Sequence, residues 1–142
     1  MPHSCAVVEL DAFFALATPE LRTVFDRFVA AAEQSGPVTV NVTKSRAALQ
    51  VRGRFAGIDR PRRDHLLANF VLTTPVQSPR LRVEYIPPYY YVHRLRLRTV
   101  EDVDPELEVW LADAYQVGAQ RHVVDPEWPR SRTPPDWVRR HG

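Results

Sequence analysis

The chain has 142 residues, of which 44% are hydrophobic and 25% are charged, and its formal net charge is +2. A chain of this length is expected to form one globular domain that buries about 68–70% of its unfolded surface without a stabilising disulfide or metal. The single cysteine, Cys5, excludes an internal disulfide and a multi-cysteine zinc site. The sequence has neither the basic leader of a signal peptide nor an apolar run of membrane-spanning length, so we expect a cytoplasmic protein with no membrane partner.

Positive charge is concentrated in the middle of the chain. Residues 44–98 contain twelve positive and three negative side chains, a net charge of +9, whereas residues 1–43 and 99–142 carry −3 and −4. Eighteen of the 19 basic residues are arginines. A GC-rich genome produces arginine in place of lysine throughout a protein, so the number of arginines says little about function. Their placement says more, because it sets a basic segment between two acidic ones.

The first elements are a short helical turn over residues 11–16 and a longer helix. The helix is predicted to begin at Thr18-Pro19-Glu20, where threonine can cap free N–H groups, proline suits the first helical position and glutamate suits the positive helix end. Apolar residues then recur at helical spacing up to Ala32. Gly36-Pro37 ends the helix.

Alternation of apolar and polar residues then predicts strands. One strand covers residues 38–43, and after a turn at Lys44-Ser45 a second continues to residue 52. Gly53 marks a bulge or a bend, and residues 54–58 either end the second strand or form a short new one. Residues 65–73 are apolar on both parities, which predicts a central strand covered on both sides.

Two arginine-rich strands and a second helix follow. Arginines alternate with apolar residues around 80–85 and again around 94–98, and Pro87-Pro88 separates the two runs. Asp104-Pro105-Glu106 repeats the pattern of a helix start, and this helix is predicted to end near Gly118. We therefore predict a single domain over residues 1–120 and a coil tail over 121–142, whose prolines and tryptophans suggest packing against the domain or a partner.

These elements place the chain in the α+β class. The expected architecture is one mostly antiparallel sheet of about five strands, with the N- and C-terminal helices packed on one face. The other face would then carry the arginines.

Several short motifs resemble a family of bacterial domains of unknown function that is common in actinobacteria. They are Phe13-Phe14, Val42-Thr43-Lys44-Ser45, Arg54-Phe55-Ala56-Gly57, Ser78-Pro79-Arg80, His93, and Asp104 through Trp110-Leu111 to Ala114-Tyr115. The resemblance covers roughly residues 9–118. It implies a fold similar to the small α+β proteins of the YdhG, YjbR and frataxin-like groups, and it implies no established activity.

The first functional hypothesis is a non-enzymatic binding module whose basic sheet face engages a polyanion, either nucleic acid or an acidic protein. Guanidinium groups bind phosphate with bidentate geometry, and Tyr89, Tyr90 and Tyr91 could stack on bases. The alternative is a solvated face neutralised by acidic residues of the helices and tail, among them Glu106, Glu108, Asp113 and Asp136. The candidate polyanion-binding residues are Lys44, Arg46, Arg52, Arg80, Arg82, Arg94, Arg96 and Arg98.

The second hypothesis is a small enzyme or small-ligand-binding protein. His93 shares strand parity with Leu95 and Leu97, so it faces the core, either as a hydrogen-bonded structural residue or as a general base in a pocket. Lys44, the only lysine, is either an exposed hairpin residue or a nucleophile. The candidate pocket residues are Arg54, Tyr85, His93, Trp110 and Tyr115.

The sequence predicts no cofactor and no metal site. The five histidines are scattered, and the acidic residues around Asp102 suit a helix start better than a calcium loop. A homodimer, formed through an exposed sheet edge or the tryptophan-containing tail, is a further prediction.

Overall fold

The protein is described here from a computed structural model, which covers residues 9–88, 90–120 and 135–140. Residues 9–13 are helical, and helix α1 follows at Pro19–Glu33. The strands are β1 (Thr39–Val42), β2 (Arg46–Gln50), β3 (Arg54–Asp59), β4 (Leu66–Leu72), β5 (Arg82–Ile86) and β6 (Tyr90–Leu97). A 3-10 helix at Val100–Asp102, helix α2 at Pro105–Gly118 and a two-residue strand β7 at Arg139–Arg140 complete the described elements.

The strands form one sheet in the order β1-β2-β3-β4-β6-β5-β7. All neighbouring pairs are antiparallel except β5 and β7, which are parallel. This confirms the predicted α+β class with a mostly antiparallel sheet. The strand count exceeds the prediction because residues 54–59 form a strand of their own, separated from β2 by a turn, and because β7 extends the sheet beyond β5.

Both long helices begin where the sequence predicts, but only one of them has a side-chain cap. Asp104 caps α2 by accepting a hydrogen bond of 2.9 Å from the backbone N–H of Leu107. Thr18 occupies the corresponding position before α1 without a side-chain hydrogen bond. Leu21, Phe25 and Phe28 are buried in the core, because their helical spacing places them on one face of α1.

One face of the sheet packs against the two helices and forms the hydrophobic core. In β4 the residues of even number, from Leu66 to Leu72, are buried, while the alternate residues are half-buried. The main cluster joins them to α1 and α2 through side chains such as Phe25 and Leu111. The expectation that both sides of β4 are covered is not met by the described helices, which lie on one face only. We call the opposite face the open face.

The end of α2 is fastened to the turn between β2 and β3. The carbonyl oxygen of Gly118 accepts hydrogen bonds from the N–H groups of Arg52 (3.2 Å) and Gly53 (2.8 Å). A side chain at Gly118 has no room, because a Cβ atom there would lie 2.7 Å from Cδ1 and 2.9 Å from Cβ of Phe55. Glycine at this position lets the helix approach β3 closely.

Gly118→Ala should therefore destabilise the protein by about 1–3 kcal/mol, because the new methyl group overpacks against Phe55. Helix propensity alone predicts the opposite sign, a gain of up to about 1 kcal/mol. Denaturant unfolding would measure the change, with Gln116→Ala on the exposed side of α2 as the control. A more stable Gly118→Ala variant would contradict the close packing.

Candidate nucleic-acid interface

Strand register places on the open face four of the arginines predicted to bind a polyanion, together with one arginine, Arg54, that was predicted to line a pocket. Phe70 pairs with His93 across β4 and β6, and both side chains are buried on the helix side. Because side chains alternate along a strand, their neighbours Asn69 and Arg94 point the other way. The same reasoning, applied through the register pairs from β2 to β5, assigns Arg46, Arg82, Arg94 and Arg96 to the open face. Arg54 joins them because a bulge between β2 and β3 pairs it with Gln50, whose neighbour Leu49 is buried on the helix side.

A shallow hollow lies among three of these arginines, and we call it the central hollow. Its floor follows one row of paired residues, Ala48, Gly57 and Asn69, so the side chains there are short. Arg46, Arg54 and Arg94 also line it, and its volume is about 290 Å³. Short side chains on three adjacent strands create the depression, and longer charged ones, the three arginines and Asp59, stand around it.

The close contact between β2 and β3 makes Gly57 necessary at the floor of the central hollow. A Cβ atom on Gly57 would lie 2.7 Å from the carbonyl oxygen of Ala47 and 3.3 Å from Cα of Ala48. Both are backbone atoms that cannot move aside without shifting the strand. The close backbone contact therefore explains why residue 57 is a glycine. The absence of a side chain there leaves the floor of the central hollow open.

A second hollow adjoins the central one, and we call it the end hollow. The two share Arg54, Val71 and Val92 as lining residues. The end hollow has a volume of about 300 Å³ and continues past Tyr90 to the C-terminal end of α2 at Val117. Together the hollows form a trough that runs along the open face to the end of the sheet where α2 terminates, with Arg54 at the place where the hollows meet.

Most of the charge on the open face is positive. Arg94 forms an ion pair with Glu84, with 2.6 Å between Nη1 and Oε1. Asp59 is the register partner of Arg46. Among the residues that the structure describes, no ion pair forms at the remaining open-face arginines, which are Arg46, Arg54, Arg82 and Arg96.

Arg80 was predicted to belong to this surface and does not. It precedes β5, which begins only at Arg82, so strand alternation does not govern its direction. Its guanidinium lies on the helix side, 2.7 Å from Oδ2 of Asp104, 2.7 Å from the carbonyl oxygen of Asp102 and 5.8 Å from the ring centre of Trp110. Partial desolvation opposes ionisation of Asp104, but its bonds with Leu107 and Arg80 outweigh this and lower its pKa.

Three other predicted cations lie outside the strands. Arg52 is exposed in the turn between β2 and β3, and Arg98 is exposed just beyond β6. Lys44 is exposed in the turn between β1 and β2, where its carbonyl oxygen accepts two bonds from the guanidinium of Arg60. Lys44 lines a separate hollow of about 630 Å³ beside residues 12–17. None of the three lines the trough.

His93 is a packed core residue. It is fully buried, its Nε2 accepts a hydrogen bond of 3.0 Å from the N–H of Val76, and its Nδ1 lies 3.1 Å from the carbonyl oxygen of Tyr91. Its ring stacks on Phe70 at 4.9 Å between ring centres. Desolvation lowers its pKa to about 4, although bonds with the carbonyls of Tyr91 and Phe70 oppose this. Both ring nitrogens of the neutral side chain are thus used in holding the fold, which leaves none to act as a general base.

The other candidate pocket residues do not converge around His93. The hydroxyl of Tyr85 donates to the carbonyl of Pro88, and that of Tyr115 donates to the carbonyl of Pro37. Trp110 stacks on Phe70, with 5.7 Å between ring centres. Arg54 points to the open face. The described cavities include neither His93 nor Trp110 in their linings.

The tyrosines proposed for base stacking are divided between the two faces. Tyr91 is buried on the helix side, and Tyr90 lines the end hollow. Tyr89 lies outside the described residues. Asn69 lines the central hollow and was not identified from the sequence. The feature that could have revealed it is a polar residue within an apolar strand, next to Phe70 and therefore on the opposite face.

The structure also reports on metal and membrane sites. Within residues 9–88, 90–120 and 135–140, no group of three or more His, Cys, Asp or Glu side chains is placed to hold a metal ion. In the same part of the chain, no helix has the length and hydropathy needed to cross a membrane.

No protein-family profile, curated protein or solved structure matches this chain. The resemblance to a bacterial family of unknown function therefore stays a prediction.

The burial of neutral His93 predicts a pH-dependent stability. Because its pKa falls from an ordinary 6.5 to about 4 in the folded state, the unfolded chain binds the proton more tightly. The stabilisation is therefore complete above pH 6.5 and is lost as the pH falls towards 4, amounting to about 2 kcal/mol between pH 7 and pH 5.

Urea unfolding of the protein and of His93→Gln at several pH values would measure this difference. We expect the variant to be less stable at pH 7 and to lose less of its stability on going to pH 5. Equal pH slopes in the two proteins would contradict a neutral, desolvated His93.

Proposed function

We propose that the protein is a non-enzymatic binding module that engages nucleic acid through the open face of its sheet. The observation that carries this proposal is the register, which gathers Arg46, Arg54, Arg82, Arg94 and Arg96 on one face away from both long helices. A rigid sheet holds the Cα atoms of these arginines at fixed spacing. Less conformational entropy of the protein is therefore lost when phosphates bind. A cytoplasmic setting belongs to the same proposal.

The positions of the acidic residues support this function. The alternative explanation of the basic middle segment is neutralisation by acidic residues of the helices and tail. Two of the three carboxylates of α2, however, have partners within the helical layer. Glu108 lies 2.9 Å from Arg27 of α1, and Gln34 also donates to it at 2.7 Å. Glu106 lies 3.4 Å from Arg80 on the helix side. These contacts hold Glu106 and Glu108 within the helical layer, away from the open-face arginines.

The chemistry of the face favours phosphate over carboxylate ligands. Arginines with planar, five-donor forks line a trough that also has an apolar surface at Val71 and Val92, which suits an alternation of phosphates and bases. A run of acidic residues offers carboxylates on flexible side chains and has no flat ring for the trough. Binding of polyglutamate in preference to nucleic acid would overturn the proposal in favour of an acidic protein partner.

Arg96→Gln should weaken nucleic-acid binding roughly tenfold at low salt and reduce the slope of log affinity against log salt by about 1, because one phosphate contact is lost. Fluorescence anisotropy with labelled oligonucleotides at about 50 and 200 mM salt would measure both quantities. The control is Arg22→Gln on α1, which removes the same charge from the helix side of the molecule. Equal losses in the two variants would contradict a localised binding face.

Glu84→Gln should have the opposite effect on affinity. The substitution removes the carboxylate that pairs with Arg94 and should strengthen nucleic-acid binding about twofold to fivefold. It should also cost about 1 kcal/mol of stability, because a partly buried ion pair is lost. Anisotropy and urea unfolding of the same preparation separate the two effects. A destabilised variant with weaker binding would mean that the ion pair serves only the fold.

A further inference from the structure

The trough on the open face carries a narrower inference, which rests on the proposed function and deepens it. We propose that the trough selects single-stranded nucleic acid, with one base in each hollow and the connecting phosphate held by Arg54. Three features of the trough support this assignment: its size, its lining, and the position of Arg54.

The size and depth of the hollows suit unpaired bases. Each hollow has a volume of about 300 Å³, at the lower end of small-ligand pockets. A base within a duplex is stacked and paired, so it cannot enter such a depression without being turned out of the helix. A single strand presents its bases freely, and sequence-tolerant binders use this property.

The lining mixes apolar and polar groups, and Asp59 adds a carboxylate to the central hollow. Val71 and Val92 stand side by side in register and line both hollows, so they offer a smooth surface for the flat side of a base. Asn69 lies in the central hollow, where its amide can donate to and accept from a base edge. Tyr90 lines the end hollow, where its ring adds an aromatic surface.

Arg54 lies at the junction of the hollows. It lines both of them, it is exposed, and it is the first residue of β3, next to the bulge at which β3 pairs with Leu49 and Gln50 of β2. A phosphate that links two bases seated in the hollows would lie at this junction. Arg46 and Arg94, at the far side of the central hollow, would then meet the next phosphate along the strand.

The test compares three labelled probes of about 12 nucleotides. They are a single strand of mixed sequence, the corresponding duplex, and an abasic single strand with the same phosphates and no bases. We expect the single strand to bind at least about tenfold more tightly than either of the others, because only it places bases in the hollows. Similar affinities for all three would overturn the inference while leaving the proposed polyanion binding intact. Absence of binding to all three at about 50 mM salt would overturn both.

Two variants locate the effect in the trough. Ala48→Leu fills the central hollow without changing charge and should remove most of the preference for the single strand over the abasic strand. Its control is Ala30→Leu on the exposed surface of α1, which adds the same volume away from the trough. If Ala48→Leu fails to fold, Asn69→Ala, which removes a polar group and adds no bulk, should reduce the same preference. Retention of the full preference in a folded Ala48→Leu protein would overturn the assignment of a base to the central hollow.

Arg54→Gln provides an independent check. We expect it to weaken single-strand binding more than Arg96→Gln does, because Arg54 would contact the phosphate between two seated bases. On the abasic strand, Arg54→Gln and Arg96→Gln should weaken binding by the same factor, because each removes one positive charge and no base is seated. Equal effects of the two variants on the intact single strand would contradict the role given to Arg54.

Discussion

The pairing of β4 with β6 is the constraint on which the rest of the molecule depends. These two strands share seven register pairs and lie at the centre of the sheet, and Phe70 of β4 stacks on both His93 of β6 and Trp110 of α2. A slip of one residue would move every arginine of β6 into the core and every leucine out of it. The hydrogen bonds of His93 to Val76 and Tyr91 add a polar reason for this register, because a slip would leave buried donors and acceptors without partners.

The same register separates two populations of arginine. Arg27 and Arg80 lie on the helix side, where they meet the acids of α2 and its preceding turn. The open-face arginines belong to strands, whose pleat turns them away from those acids. A chain with a small net charge can therefore present a basic surface, because several of its acids form ion pairs on the other side of the sheet. This separation is what distinguishes the chain from a protein with evenly mixed charges.

Alternation along the sequence was enough to predict much of this arrangement. It placed Arg94, Arg96 and His93 on their correct faces, since residues of a strand alternate whatever their neighbours are. It failed at Arg80, because the end of a strand depends on local hydrogen bonding and on the attraction of Asp104, which lies 24 residues away. The trough could not be predicted either, since its floor joins Ala48, Gly57 and Asn69 from three strands whose order is a tertiary property. The apolar composition of β4 predicted that both of its sides are covered, and the described helices cover only one. The composition instead reflects the central position of β4 in the sheet.

The pair formed by Arg82 and Arg94 bears most directly on the meaning of the open face. The two residues are register partners on β5 and β6, and like charges directly opposite each other destabilise a sheet by about 0.2–1 kcal/mol. Glu84 relieves part of this repulsion through Arg94. A face that only needed to be soluble could have a neutral polar residue at either position and avoid the repulsion altogether. Two opposed guanidiniums are an arrangement that an anion between them would stabilise, so the energetic cost in the free protein and the proposed phosphate binding have the same electrostatic origin.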